Sequence, residues 1–143
     1  MIIEKLSEKD VEVIRSLQSG FCDGWSENQL KSAFESGRFI VYSAKEGEEY
    51  TGFVSISTTI DDCDVETVFV KPEHRRRGVA KALIEHAQAQ MVGQGIRKIF
   101  LEVRESNATA RSLYSALGYK EISVRKNYYS DGENAVVMAK ELL

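Results

Sequence analysis

Residues Val65 to Met91, VETVFVKPEHRRRGVAKALIEHAQAQM, constrain the fold of this chain more than any other stretch. Val65 to Val70 is β-branched or aromatic almost throughout, which predicts a strand covered on both faces. Pro72 cannot donate to a sheet ladder, so it ends that strand. After Arg75-Arg76-Arg77-Gly78 the apolar residues recur at helical spacing: Val79, Leu83 and Ala87, then Ala80, Ile84, Ala87 and Met91. Lys81, Glu85 and Gln88 fall on the opposite side, so this is an amphipathic helix packed on a sheet.

Strand, cationic loop and helix start, in that order, make a receptor for phosphate. The first N–H groups of a helix have no partner within it and carry roughly half a positive charge. Gly78 and Ala80 take away side-chain bulk, so a diphosphate can come close to the backbone. By itself the arginine run suits a solvated turn or a nucleic-acid patch equally well, because short glycine motifs recur by chance.

The rest of the chain narrows the choice. It has 143 residues, enough for one domain with a real core, and its 43% hydrophobic and 29% charged fractions are those of an ordinary globule. A net charge of −3 argues against general nucleic-acid binding and leaves the arginines a local feature on an acidic background. No apolar run approaches the roughly 20 residues that span a bilayer. The start, MIIEKLSEKD, lacks the layout of a signal peptide, so a cytoplasmic location is expected. Cys22 and Cys63 form no CxxC pair and are expected to be small buried hydrophobes. His74 and His86 have no cysteine or paired carboxylate at ligand spacing, so no metal site is expected.

In chain order, Met1 to Leu6 predicts a strand. Ser7 to Asp10 resembles a capping box ahead of a helix with Val11, Ile14 and Leu17 on its apolar stripe. Ser26 and Gln29 form a second capping box, opening a helix through Leu30, Ala33 and Phe34. Trp25, just before it, is placed to staple onto Leu30, or Phe21 to Trp25 forms a mobile wall of a substrate groove. Phe39–Lys45 and Tyr50–Thr58 predict a hairpin turned at Glu46-Gly47-Glu48. Asp61-Asp62-Cys63-Asp64 is expected to be a solvated acidic turn. Ile96–Val103 predicts a strand parallel to Val65–Val70, with Phe100 and Glu102 on one face and Ile99, Leu101 and Val103 on the other. Ser106 or Asn107 caps a short helix with Ala110, Leu113, Tyr114 and Leu117 as its apolar face. Tyr119–Arg125 and Ala135–Leu142 make a last hairpin, turned through Tyr128 to Gly132.

The segments Leu101-Glu102-Val103-Arg104-Glu105-Ser106-Asn107 and Leu113-Tyr114-Ser115-Ala116-Leu117-Gly118-Tyr119, with the loop Arg75-x-x-Gly78-x-Ala80, resemble the GNAT superfamily of N-acetyltransferases. Trp25-Ser26-Glu27 and the tail from Arg125 to Met138 resemble the branch that acetylates ribosomal-protein N-termini. The likeness is strong from Val68 onward and weak between Arg38 and Glu66. It implies one α/β (α+β) domain over residues 1–143. The fold implied is a mixed, mostly antiparallel twisted sheet with a central splayed parallel strand pair and helices on both faces. Acetyl-CoA is the implied co-substrate, lying between the splayed strands, with no metal. Main-chain groups of Val68, Phe69 and Val70 would hold the pantetheine and thioester. Arg76, Arg77, Gly78, Val79, Ala80 and Lys81 would wrap the diphosphate, and Asn107 would touch the coenzyme. Glu102 matches the general base and Tyr114 the general acid of that branch, with Glu66 as the rival base. Gly24 stands where that branch carries proline before Trp25-Ser26.

The chemistry suits these residue types. A free α-amine titrates near ~8, so about a tenth of it is neutral at pH 7, and a nearby carboxylate can take its proton. A strand N–H can support the carbonyl oxygen as charge develops. A tyrosine near ~10 can protonate a thiolate as it departs. The expected acceptor is the N-terminal amine of a protein, ribosomal and beginning with alanine. A small amine, a lysine side chain, and a sensor that binds acyl-CoA without turnover are the alternatives.

Overall fold

The computed structural model describes residues 1–21 and 23–143, so the expectation for Cys22 lies outside the described residues. Its strands are β1 (Ile2–Leu6), β2 (Phe39–Glu46), β3 (Glu49–Thr58), β4 (Asp62–Val70), β5 (Lys98–Arg104), β6 (Lys120–Arg125) and β7 (Ala135–Glu141). Its helices are α1 (Val11–Leu17), α2 (Glu27–Glu35), α3 (Val79–Gly93) and α4 (Ala108–Ala116). The strands form one sheet in the order β1-β2-β3-β4-β5-β7-β6, and only β4 and β5 run parallel. This is the mixed sheet with a central parallel pair that the resemblance implied.

Each face of the sheet is covered by helices. Leu83, Ile84, Ala87 and Met91 of α3 and Tyr114 of α4 pack with Ile99, Leu101 and Val103 of β5 and with Tyr42, Val54 and Ile56. On the other face Ile14 and Leu17 of α1 and Leu30 of α2 close over Phe39, Val41, Phe53 and Phe69. The second capping box forms as expected: Gln29 N–H donates to Ser26 Oγ at 3.1 Å, and Ser26 N–H to Gln29 Oε1 at 2.9 Å. Asn107, rather than Ser106, caps α4, its Oδ1 accepting from the Ala110 N–H at 3.1 Å.

Two expectations about the central strand need correction. The supposed acidic turn is largely strand, since β4 starts at Asp62 and pairs Cys63 with Thr58 and Asp64 with Ser57. Asp62 and Asp64 alternate with buried Cys63 and Val65, so the period is that of a strand with one wet face. For the same reason only the end of β4 is covered on both faces: Asp64 and Glu66 are exposed, whereas Phe69 and Val70 are buried on opposite faces. Glu66 sits at a bulge, because Ser55 faces Thr67 while the next residue, Ile56, faces Val65. The bulge reverses which side chains point toward α3, from Cys63 and Val65 before it to Val68 and Val70 after it.

Candidate active site

The parallel pairing of β4 and β5 is short. It runs from Asp62 opposite Lys98 to Val65 opposite Leu101 and stops there. Beyond that point β4 stays with β3 as far as Val70, while β5 stays with β7 as far as Arg104. The two strands therefore part, and one edge of each faces a gap. A Cβ added at Gly52 of β3 would sit 2.5 Å from the Phe69 carbonyl oxygen, and the Lys71 N–H donates to the Thr51 carbonyl. Phe69 and Lys71 thus turn their main-chain groups toward β3. By the alternation of an extended strand, Val68 and Val70 turn theirs toward the gap. Phe69 offers no main-chain group there and instead places its ring among Phe21, Phe53 and the Arg75 guanidinium. The Val70 carbonyl is already taken, accepting from Arg75 Nε at 2.9 Å. Among the described residues, that leaves the Val68 amide and carbonyl and the Val70 N–H turned toward the gap.

The cationic loop ends beside the same gap. Gly78 is the N-cap of α3 with φ of 79°, a left-handed conformation that favours glycine. A Cβ there would meet nothing within 4 Å, so the space above the helix start is open. No side chain caps the helix and no acidic residue lies in its first turn, which leaves the first N–H groups and the positive end of the dipole uncompensated. Arg76, itself at φ 61°, and Arg77 are exposed around this point. The arrangement fits a diphosphate. Arg75, by contrast, is committed to Val70 and closes the end of β4.

Glu102 lies on the face of β5 away from α3 and α4. Its Oε1 is 3.4 Å from Arg125 Nε, and Tyr128 stands nearby. The Glu102 carboxylate, with desolvation, pushes the Tyr128 phenol up to about 12. Glu66 would stand opposite Glu102 had the strands stayed paired; at the bulge it accepts from Ser57 Oγ instead. Asp64 shares this face, and partial desolvation by its neighbours, together with the charges of Glu66 and Glu102, raises its carboxyl above the usual range.

Tyr114 comes from the opposite side, on α4. Only 7% exposed, it packs edge-on to Tyr119 with ring centroids 5.8 Å apart. The Tyr119 hydroxyl donates to Gln88 Oε1 at 2.8 Å, whereas that of Tyr114 has no hydrogen-bond partner among the described residues. Burial, and then the neighbouring Tyr129, push the Tyr114 phenol up to about 12. Tyr129 is likewise pushed up to about 12, chiefly by burial; Arg104 opposes the shift while Asp23, Glu102 and Glu133 add to it. Tyr114, Tyr129 and Glu102 thus share one neighbourhood. Asn107 reaches it from the start of α4, but its carbonyl oxygen is spent on the cap.

Five side chains at this site were not singled out from the sequence. Arg104 binds Asp23, Asp131 and Glu133, and Gln18, buried at the end of α1, holds the main chain of Trp25. The Trp25 N–H donates to Gln18 Oε1 at 2.9 Å, and Gln18 Nε2 donates back to the Trp25 carbonyl. A Cβ at Gly24 would come within 2.8 Å of the Gln18 side chain, which accounts for glycine at that position. The Trp25 indole donates to Thr67 Oγ1 at 3.0 Å and stands edge-on to Phe39. It pins the α1–α2 connection onto β4 and so joins the wall of the gap. His74 pairs with Glu49, and His86 stacks on Tyr42.

A parallel strand pair that splays beside an uncapped helix start flanked by arginines suits an acyltransferase of the acetyltransferase (GNAT) family. That family's model matches residues 10–119, and the chain belongs to it. Among its relatives, the ribosomal protein bS18-alanine N-acetyltransferase of Escherichia coli strain K12 is 33% identical over 118 residues, covering 80% of this chain and 79% of the relative. The enzyme of the same name from Haemophilus influenzae is 34% identical over 143 residues, covering 96% and 97%. The crystal structure of the Escherichia coli ribosomal-protein-S18-alanine N-acetyltransferase superposes with a TM-score of 0.91 at 29% identity, covering 99% of this chain and 93% of that one. Enzymes of this family draw their acyl group from acetyl-CoA. No helix among the described residues is long and apolar enough to cross a membrane.

Proposed function

We propose that this enzyme transfers acetyl from acetyl-CoA directly to the N-terminal α-amine of a protein, with a ribosomal protein beginning in alanine as the acceptor. The observation that carries this proposal is the parting of β4 and β5 after Val65 and Leu101, with Glu102 on one side of the gap and Tyr114 on the other. The names of the relatives supply the acceptor class. Bound acetyl-CoA supplies the activated thioester, its diphosphate lying at Arg76 to Lys81 and its pantetheine arm along Val68 and Val70.

Glu102 takes the proton from the acceptor ammonium, directly or through one water, and frees the nitrogen lone pair to attack the carbonyl carbon. The Val68 or Val70 N–H holds the carbonyl oxygen as it gains charge. As the C–N bond forms and the C–S bond breaks, Tyr114 gives its proton to sulfur; the acylated nitrogen sheds its second proton, which passes through water back to the phenolate, and Glu102 gives up its proton to solvent, so the products are the amide and the free thiol. A phenol near 12 is a weak acid beside a thiol of ordinary acidity. The proton therefore moves to sulfur only as the C–S bond breaks and thiolate charge develops.

Thiol release with a panel of acceptors tests the proposal. Peptides starting with Ala are expected to react faster than those starting with Ser or Met, and all faster than polyamines or free lysine. Turnover with polyamines or lysine alone would place the acceptor elsewhere. Acetyl-CoA binding without turnover on any amine would make the chain a sensor.

A further inference from the structure

Arg104 is the last residue of β5, on the same face as Glu102. Its Nε and Nη2 hold the two oxygens of Asp23, each at 2.9 Å, in a bidentate pair. Its Nη1 donates to Asp131 Oδ2 and Glu133 Oε1, each at 2.8 Å. The guanidinium carbon also lies 4.1 Å from the centre of the Tyr129 ring. Asp23 belongs to the α1–α2 connection, 81 residues away in sequence; Asp131 and Glu133 belong to the β6–β7 connection, 27 and 29 residues away. The second oxygen of Glu133 takes the Ser106 N–H at 2.9 Å, which draws the turn after β5 into the same cluster.

A bidentate guanidinium fixes orientation as well as distance, which a lysine ammonium does not. Arg104 therefore sets where both connections stand relative to Glu102, and its planar face fixes Tyr129. Three carboxylates around one cation also leave the cluster two charges negative, beside an entrance that an ammonium must use.

We propose that Arg104 is a positioning residue for the acceptor: it ties the Asp23 and Asp131–Glu133 segments together as the two walls of the acceptor entrance and leaves the acetyl-CoA side untouched. The proposal rests on the acetyl-transfer reading above. Arg104 does not touch the reacting atoms; it acts through Asp23, Tyr129 and Glu133.

Steady-state kinetics of the full chain with an Ala-starting peptide, together with calorimetry of acetyl-CoA binding, test it. Arg104→Gln is expected to raise the peptide KM on the order of tenfold or more while kcat changes much less and acetyl-CoA affinity stays within about twofold. Arg104→Lys should recover only part of the loss, because charge without the fork does not set orientation. Asp23→Asn should raise the peptide KM several-fold, and combining it with Arg104→Gln should add little, since both cut the same tie. Amide exchange in Asp23–Trp25 and in Tyr128–Glu133 should quicken together in Arg104→Gln, with α3 unchanged. An unaltered peptide KM, or acetyl-CoA affinity lost in parallel, overturns the proposal. Should Arg104→Gln fail to fold, Asp23→Asn decides by the same two measurements. A wild-type protein that acetylates no peptide would instead sink the acetyl-transfer reading, a result distinct from variants that leave an active enzyme unchanged.

Discussion

At one end of the gap between β4 and β5, the groups that matter are neighbours in sequence. Val68, Val70, Arg75 and Gly78 fall within one strand-loop-helix unit, and their geometry follows from a left-handed glycine and an uncapped helix start. At the other end Asp23, Arg104 and Asp131 come from three segments, joined by ion pairs across 81 and 27 residues. The first end is set by local backbone geometry. The second is ordered only while its charges stay paired, and partly exposed pairs of this kind weaken with salt. One end thus suits a constant ligand such as a diphosphate, and the other an acceptor that differs from enzyme to enzyme.

Variants can break or sharpen this contrast, beginning where the two ends meet. Tyr114→Phe is expected to lower kcat by on the order of 10²–10⁴ with acetyl-CoA affinity intact; an unchanged kcat in single-turnover assays would return Tyr114 to a packing role. Glu102→Gln should cost turnover on the order of 10²-fold, most severely at low pH, whereas Glu66→Gln should have little effect. Paired pH–rate profiles showing the reverse would make Glu66 the base. Gly78→Asp puts a carboxylate at the positive end of α3 and should weaken acetyl-CoA by about tenfold in calorimetry, leaving the peptide KM alone. That outcome would mirror the one expected for Arg104, and loss of both constants together would erase the distinction between the ends. Trp25→Phe removes the indole bond to Thr67 and should lower stability by about 1 kcal/mol in urea unfolding. The smallest effect concerns pH. Because burial raises the Tyr114 phenol to about 12, its donor form persists past the point where an ordinary tyrosine ionises. No descending limb from Tyr114 should therefore appear in kcat at pH ~10.

Much of this was legible before any coordinates. Val79, Leu83, Ala87 and Met91 announced α3, Ser26 and Gln29 announced the start of α2, and Ile99, Leu101 and Val103 separated the wet and dry faces of β5. Asp62 to Asp64 misled because acidic residues resemble a turn when viewed one at a time. Only their alternation with Cys63 and Val65 betrays a strand edge. The bulge at Glu66 shifts the parity of every later residue of β4, and a bulge leaves no residue signature of its own. Arg104 was in plain view inside a quoted motif, yet nothing nearby in sequence hinted at its carboxylates.

What the chain determined by itself was everything decided within a few residues: helix periodicity, caps, the strand-breaking proline and the glycine that opens a helix toward phosphate. Tertiary structure alone decided that β4 and β5 would part after four paired residues. It also decided that Glu102 and Tyr114 would lie on opposite faces of the sheet, and that Arg104 would gather Asp23, Asp131 and Glu133. The physical reason is one of range. Torsional preference and local hydrogen bonds act between neighbours, while strand register and ion pairing depend on which distant segments the packed core brings together.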